Sequence, residues 1–370
     1  MRATDFVGLL LAAAFSPRLG RAKTVLLPGT SGLYGTPIFR PLTCQADSIT
    51  NASLNIDIDI GDQETVHDAQ DSQSWEVRES PRKGLGVFAT RLIYEGERIM
   101  VEEPLFSVTP PTFVPGRGYE LSAMAASVDA AVEELSLFDR ELFRACHAHF
   151  LPGEKDKVRE TGSGLNMIIF RSNAYTLTDG NVAMFPRIAR INHSCQPNAA
   201  NVWSPASGRR VIWAARKIAE GEEITVTYAP LLKSRKDRQA RLDPYGFTCD
   251  CEACRDHERT DEVRVKKGQD LAELQKRVPW ISGKNGDHPL VNDAFNLWIF
   301  LLEENMMDYL PGFTHLMADL FNRLGDPESA EFWAEQALMM YEHADENSHA
   351  AKFEREYLKG IRAKLNGEAH

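Results

Sequence analysis

Hydrophobic and polar positions change period several times along the chain. From Trp75 the steps are short. Trp75–Arg78 reads as a strand, Ser80–Gly86 as a glycine-bearing turn and Val87–Thr90 as a second strand. Tyr94–Glu97 is another turn and Arg98–Glu102 a third strand. Between Tyr119 and Phe150 the period becomes helical, with Leu135, Phe138, Leu142, Phe143 and Cys146 in register. This predicts a helical insert over about residues 110–165, with 152–164 as a charged, glycine-containing connection. Leu165–Leu177 reads as a helix leading into a strand. Strand patterns return at Ala199–Trp203, Val211–Ala215 and Ile224–Tyr228, the first two joined by a hairpin turn at Ser204–Arg209. Residues 262–370 read as helices. Within them Leu324-Gly325-Asp326, Ala330, Ala334, Ala337 and Leu338, with Ala318 and Phe321 upstream, match one tetratricopeptide-type helix pair. One match does not make an array, so the expectation is packed helical hairpins that cover the preceding domain, with peptide docking as the sharper alternative.

Residues 1–74 read as leader and linker. Arg2 precedes an apolar stretch, Phe6–Phe15, followed by Ser16-Pro17-Arg18, which has the shape of a signal peptide over residues 1–20. No clean small-x-small cleavage site follows it, and a buried helix, an organellar leader or a mis-assigned start fits the same residues. From Pro41 to Ser74 there is no Lys or Arg, while Asp47, Asp57, Asp59, Asp62, Glu64, Asp68 and Asp71 are acidic. This is an acidic lead-in, within which Leu54–Ile60 alternates like an edge strand.

Composition narrows the function classes. A chain of 370 residues with 43% hydrophobic and 26% charged residues is an ordinary globular protein with room for two or three domains. Its net charge of −11 disfavours general nucleic-acid binding and suits a basic peptide or protein substrate. The basic run Lys233–Arg238 has no aromatic interleaving and reads as a solvated helix face. No apolar run reaches the roughly 18–20 residues of a membrane span. The sequon Asn51-Ala52-Ser53 matters only in a secreted chain. Of the six cysteines, Cys249, Cys251 and Cys254 are clustered, which points to a metal. Cys44 and Cys146 have no partner pattern.

Three segments carry the chemistry: Arg190-Ile191-Asn192-His193-Ser194-Cys195-Gln196-Pro197-Asn198; Gly221-Glu222-Glu223-Ile224-Thr225-Val226-Thr227-Tyr228; and Tyr245-Gly246-Phe247-Thr248-Cys249-Asp250-Cys251-Glu252-Ala253-Cys254. With the opening Lys83-Gly84-Leu85-Gly86-Val87-Phe88-Ala89, they resemble the SET-domain protein lysine methyltransferases over roughly residues 75–254, in family order. The long insert, Ser172–Thr176 and the cysteine cluster are most similar to the SET-and-MYND subfamily and related fungal-type SET proteins. The larger Cys/His set of a MYND finger is absent from the sequence, so the partner recruitment of that finger is not carried over.

The resemblance implies an α+β fold: a β-clip of small sheets with a pseudoknot at 75–228, a zinc-bound post-SET flap at 229–258 and an all-helical C-terminal domain. It implies a closed structural zinc site in which Cys195 completes the set with Cys249, Cys251 and Cys254. Reduced cysteines without metal, or a disulfide pair, remain the alternatives. It implies S-adenosylmethionine as cofactor. The methionine end would lie near Lys83, Gly84 and Leu85, amide and main-chain hydrogen bonds would come from Asn173, Asn192 and His193, and Phe247 would pack on the adenine. His193 is expected to shape the pocket through its backbone, as neither base nor ligand. Tyr228 is the expected catalytic tyrosine, also touching the cofactor. Tyr245 is expected to wall the lysine channel, with Tyr175 a weaker third candidate. The expected partner is a protein or peptide carrying the target lysine, histone or non-histone, acted on by a monomer with no direct nucleic-acid contact and no membrane span. Nucleus or cytoplasm is the expected compartment, with a secretory or organellar route left open by the N-terminal apolar segment. A catalytically silent SET module acting as a scaffold is the rival reading.

Overall fold

The computed structural model describes residues 74–111, 121–281 and 289–367. The leader, the acidic linker, the Leu54–Ile60 alternation, Cys44 and the Asn51 sequon lie outside these residues. Among the described residues ten strands form three small sheets, as expected for the α+β class. The first has the order β1 (Trp75–Ser80), β2 (Gly84–Ala89), β10 (Glu223–Val226) and β7 (Asn192–His193). The second orders β3 (Arg98–Glu102), β9 (Arg209–Ala214) and β8 (Ala199–Ser204), and the third β4 (Phe106–Val108), β6 (Val182–Met184) and β5 (Tyr175–Thr176). β1 and β2 are joined by a tight turn at Pro81–Lys83, with Ser80 opposite Gly84. The strand therefore starts at Gly84, earlier than the apolar run Val87–Thr90 suggests.

β7 and β10 pair in parallel, Thr225 against Asn192 and Val226 against His193. A parallel pair cannot be closed by a hairpin, and here the β8–β9 hairpin lies between the two strands in sequence. The two motif segments are thereby laid side by side. Their inward side chains Ile191, Ile224 and Val226 join Val87, Ile99, Phe185 and Ile212 in one fully buried core. Burial of this apolar surface is what holds the short strands together.

The insert is built from α1 (Leu121–Glu134), α2 (Leu137–Arg144), α3 (Glu154–Thr161) and α4 (Leu165–Asn173). Two expectations change here. The charged connection at 152–164 contains the helix α3, which buries none of its side chains and is bounded by left-handed Gly153 and Gly162. It is held by Glu154, which accepts both guanidinium NH2 groups of Arg171 at 2.6 Å. Phe138 is not part of the inward face. It is exposed, as is Leu137, because the helix breaks after Glu134 and restarts with Ser136 as N-cap, rotating the period. Phe143 and Cys146 are buried against Phe106 and Phe170, whose rings stack at 5.5 Å.

Beyond the sheets run α5 (Arg235–Leu242), the short α6 (Glu252–Arg255), α7 (His257–Arg277), α8 (Pro289–Glu303), α9 (Leu310–Arg323), α10 (Pro327–Asp345) and α11 (His349–Leu365). The helices begin five residues earlier than expected, at His257. Ala318, Phe321, Ala330, Ala334 and Ala337 are buried where α9 and α10 meet, and Trp333 packs edge-on against Trp298 at 5.1 Å. α10 reaches the sheets: Arg98 donates to the His343 carbonyl at 3.0 Å, and Asp345 accepts from Ser204. Arg264 of α7, fully buried, donates to the carbonyl of Cys195 at 3.2 Å and pairs with Glu304. Among the described residues no helix is long and apolar enough to cross a membrane.

Candidate functional site

The parallel β7/β10 pair organises the site. Asn192 donates through Nδ2 to the carbonyl of Leu85 at 3.1 Å and to Glu223 at 2.7 Å. Glu223 also accepts from Ser80 Oγ at 2.8 Å and Lys83 Nζ at 2.9 Å. A Cβ at Gly86 would sit 2.7 Å from Glu223 Oε1 and 2.8 Å from Asn192 Nδ2, so a side chain here would have to displace this pair. Asn198, buried, accepts the Thr225 N–H at 2.7 Å and donates to the Glu223 carbonyl at 2.9 Å. The two motifs are thus cross-linked by their own polar side chains.

A cleft of about 520 Å³ opens beside this junction. Lys83, Gly84, Leu85, Asn173, Asn192, His193, Tyr228 and Phe247 all line it, together with Tyr245, Arg82, His147 and Arg190. Of the last three, Arg190 opens a motif segment but is not among the expected site residues, and Arg82 and His147 were not expected at the site. The donating end of Asn173 is spent on the carbonyls of His147 (2.6 Å) and Ile169 (2.7 Å), and that of Asn192 on Leu85 and Glu223. What either amide offers a ligand is its acceptor oxygen. Lys83 is neutralised by Glu223, so it offers its main chain and aliphatic stem.

A second cleft, about 300 Å³, is lined by Tyr175, Thr176, Asn201, Arg210, Thr227, Arg241 and Asp308. Ser172, Asn173, Ala189, Tyr228 and Tyr245 line both clefts. The Tyr228 and Tyr245 rings are 5.1 Å apart. Tyr228 lies two residues beyond the end of β10, where a strand was expected to continue. Its hydroxyl donates to the Ile191 carbonyl, which turns the oxygen's acceptor side away from that bond, and burial pushes its ionisation well above the ordinary tyrosine range. Tyr175 lines the second cleft, with its ring held under the Arg210 guanidinium at 4.4 Å and its hydroxyl pushed up to about 12 by burial.

The sulfurs of Cys195, Cys249, Cys251 and Cys254 lie within 4.8 Å of one another. Cys195 Sγ and Cys254 Sγ are 3.6 Å apart, and a zinc tetrahedron with bonds of about 2.3 Å needs sulfurs about 3.8 Å apart. The four thiols therefore fit a tetrahedral ion. Mutual hydrogen bonding divides the four thiols, holding Cys251 and Cys254 below the ordinary thiol range and Cys195 and Cys249 above it. His193 does more than lend its backbone. Its buried ring accepts the Tyr228 N–H on Nδ1 at 3.0 Å and places Nε2 3.2 Å from Cys195 Sγ. Burial lowers its pKa to about 4, so at neutral pH the ring is uncharged, with its proton on Nε2 facing the sulfur.

The run at 233–238 is also not wholly a solvated face. Ser234 caps α5 by accepting the Asp237 N–H, and this phase turns Arg238 and Leu242 inward, four residues apart. The pairing of Arg238 with Leu242 at that spacing is the signal a helical reading could have used. Gln239 of the same helix donates to the Phe247 carbonyl at 2.8 Å and accepts the Cys249 N–H at 3.0 Å, clamping the segment that closes the first cleft. Gly246, at φ +81°, brings that segment so close to the insert that a Cβ would lie 2.1 Å from the His149 ring. Gly246→Ala is expected to push Tyr245 and Phe247 away from the cleft. It should weaken binding of S-adenosylhomocysteine, the ligand the family resemblance implies for this cleft, by about 10-fold or more with little loss of helix content, read by titration calorimetry and circular dichroism.

Residues 84–229 match the SET domain family model. The chain is 30% identical over 207 residues to "Histone-lysine N-methyltransferase set5" of Schizosaccharomyces pombe, covering 55% of this chain and 56% of that protein. It is 35% identical over 105 residues to "N-lysine methyltransferase SMYD2" of Gallus gallus (26% of this chain, 24% of that one). Over 74 residues it is 42% identical to "Histone-lysine N-methyltransferase ATXR2" of Arabidopsis thaliana (20% and 16%). The chain therefore spans about half the length of the first relative and a quarter or less of the other two.

Proposed function

We propose, on the premise that residues 84–229 are a SET domain, that the protein transfers a methyl group from S-adenosylmethionine to the ε-amine of a lysine in a protein substrate. The observation that carries this reading is the common wall between the two clefts. Tyr228 and Tyr245 line both a cleft suited to the donor and a second cleft that can take a substrate side chain.

In the first cleft, Asn173 and Asn192 present acceptor oxygens, the Gly84–Leu85 backbone lies open, and Phe247 offers a ring to stack. S-adenosylmethionine supplies a methyl carbon activated by its sulfonium. The chain's own contribution is placement and desolvation. A free lysine with pKa near ~10.4 is less than about 0.1% neutral at pH 7. Withdrawal from water disfavours the ammonium, and the Tyr228 oxygen accepts from the amine and fixes its direction. Tyr228 is not a base here, because burial keeps its hydroxyl protonated. Holding the amine in line contributes several kcal/mol of the barrier reduction.

We assign residues 75–228 to the catalytic domain with its insert, 229–258 to a zinc-bound flap and 262–370 to a helical C-terminal domain. Four thiolates leave the ion no open position, so the zinc is structural. Unpaired thiols at Cys146, Cys195, Cys249, Cys251 and Cys254 suit a reducing compartment, nucleus or cytoplasm. The relatives' names include histone-lysine and N-lysine methyltransferases, and the substrate is a histone or non-histone protein.

Incubation of the purified chain with labelled donor and a cell extract, followed by mass spectrometry, is expected to show label on lysine side chains. Absence of label together with no calorimetric heat for the donor would overturn the proposal.

A further inference from the structure

We propose that Arg238 is the counter-charge of the four-cysteine centre: a buried guanidinium that donates to the Cys254 sulfur and offsets part of the excess negative charge of a metal bound by four thiolates. This rests on the zinc reading above, since four thiolates around a divalent cation leave two negative charges in excess.

Arg238 is fully buried. A buried cation is strongly unfavourable unless its charge and its donors are met. Its neutral partner is the Lys233 carbonyl, which accepts from Nη1. The carboxylate within reach is Asp261, at a long 3.4 Å and one-quarter exposed, and its other oxygen already accepts the Arg235 N–H at 2.7 Å. Nη2 lies 3.8 Å from Cys254 Sγ, within range of an N–H···S hydrogen bond. The neighbouring buried arginine is placed differently. Arg264 is paired with Glu304 and touches the centre through the Cys195 carbonyl, so its charge is already answered. Arg238 is poorly answered until the sulfurs carry charge. The two needs are complementary: an under-paired buried cation sits against a buried anionic centre. An outer N–H···S bond stabilises the sulfur lone pair, which slows its protonation and the loss of the ion. Outer partners of this kind change metal retention by about 10–100-fold.

The test uses the full chain, with zinc content measured directly and zinc release followed with a chromophoric chelator. Arg238→Met, which removes the charge at similar volume, is expected to release zinc at least about 10-fold faster than the parent chain. Arg238→Gln, which keeps a donor for the Lys233 carbonyl but carries no charge, is the second variant and should also release faster. Asp261→Asn loosens the same helix without touching a sulfur and should stay within about 2-fold. In cobalt-loaded protein the sulfur-to-metal charge-transfer band should move to longer wavelength in Arg238→Met and not in Asp261→Asn. Parent-like release and an unchanged band in a folded Arg238 variant would overturn the proposal. So would release from Asp261→Asn as fast as from Arg238→Met, which makes Arg238 a helix tie. A parent chain that holds and takes up no zinc defeats the metal reading itself, a result distinct from a zinc-bearing chain indifferent to Arg238.

Discussion

Tyr228→Phe is expected to lower the rate of methyl transfer by about 100- to 1,000-fold while S-adenosylhomocysteine binds within about 2-fold of the parent chain. The ring stays, so the 5.1 Å packing against Tyr245 and the wall between the clefts are retained. What is lost is the oxygen that accepts from the amine. The hydroxyl already donates to the Ile191 carbonyl, so it has acceptor capacity and no spare proton to give. The substitution also strips a buried carbonyl of one donor, a cost of about 1 kcal/mol that should appear as a small fall in melting temperature. Single-turnover transfer and calorimetry on the same preparation separate these effects. Transfer at the parent rate would remove Tyr228 from the chemistry, and loss of donor binding in equal measure would make its part merely architectural.

Breaking the proposed metal centre is expected to have the second large consequence. Cys251→Ser is the mildest way to do it, because Cys251 is the half-exposed member of the set and the change leaves no sizeable cavity. Zinc content should fall from about one ion per chain to near zero, and donor affinity by about 10- to 100-fold. The cause is geometric. Cys249, Cys251 and Cys254 follow directly on the segment carrying Tyr245, Gly246 and Phe247, which line the first cleft, proposed to take the donor. Cys195 belongs to the other half of the site, and His193 passes its position on to the Tyr228 N–H. The small sheets and the helical insert draw on apolar clusters that contain none of these four cysteines, so the far-ultraviolet spectrum should change little. Chelation of the parent chain should reproduce the variant. A metal-free chain that binds the donor normally would detach the flap from cofactor binding.

Much of this was visible before any coordinates. Trp75–Arg78 and Arg98–Glu102 carry strand periodicity that only shorter or longer neighbours could have altered, and the helical C-terminal region follows from a repeating apolar face. The eight residues expected around the donor line one cleft, and the four cysteines meet. Other readings failed where local pattern and tertiary demand diverge. Residues 154–161 have no apolar face, yet they are helical because Arg171 and the glycine boundaries hold them. Phe138 fits a helical period, yet it is exposed because that period is interrupted at Ser136.

Strand and helix identity, the clustering of Cys249, Cys251 and Cys254 and the order of the motifs are set by side-chain period, turn chemistry and short spacing, and they can be read along the chain. The pairing of Asn192 with Glu223, the ring of His193 between a sulfur and a backbone N–H, and the burial of Arg238 beside Cys254 join segments tens of residues apart. Those contacts exist only once the parallel β7/β10 pair has brought the segments together, because burial makes a charge or donor seek whatever partner the fold supplies, however distant in sequence.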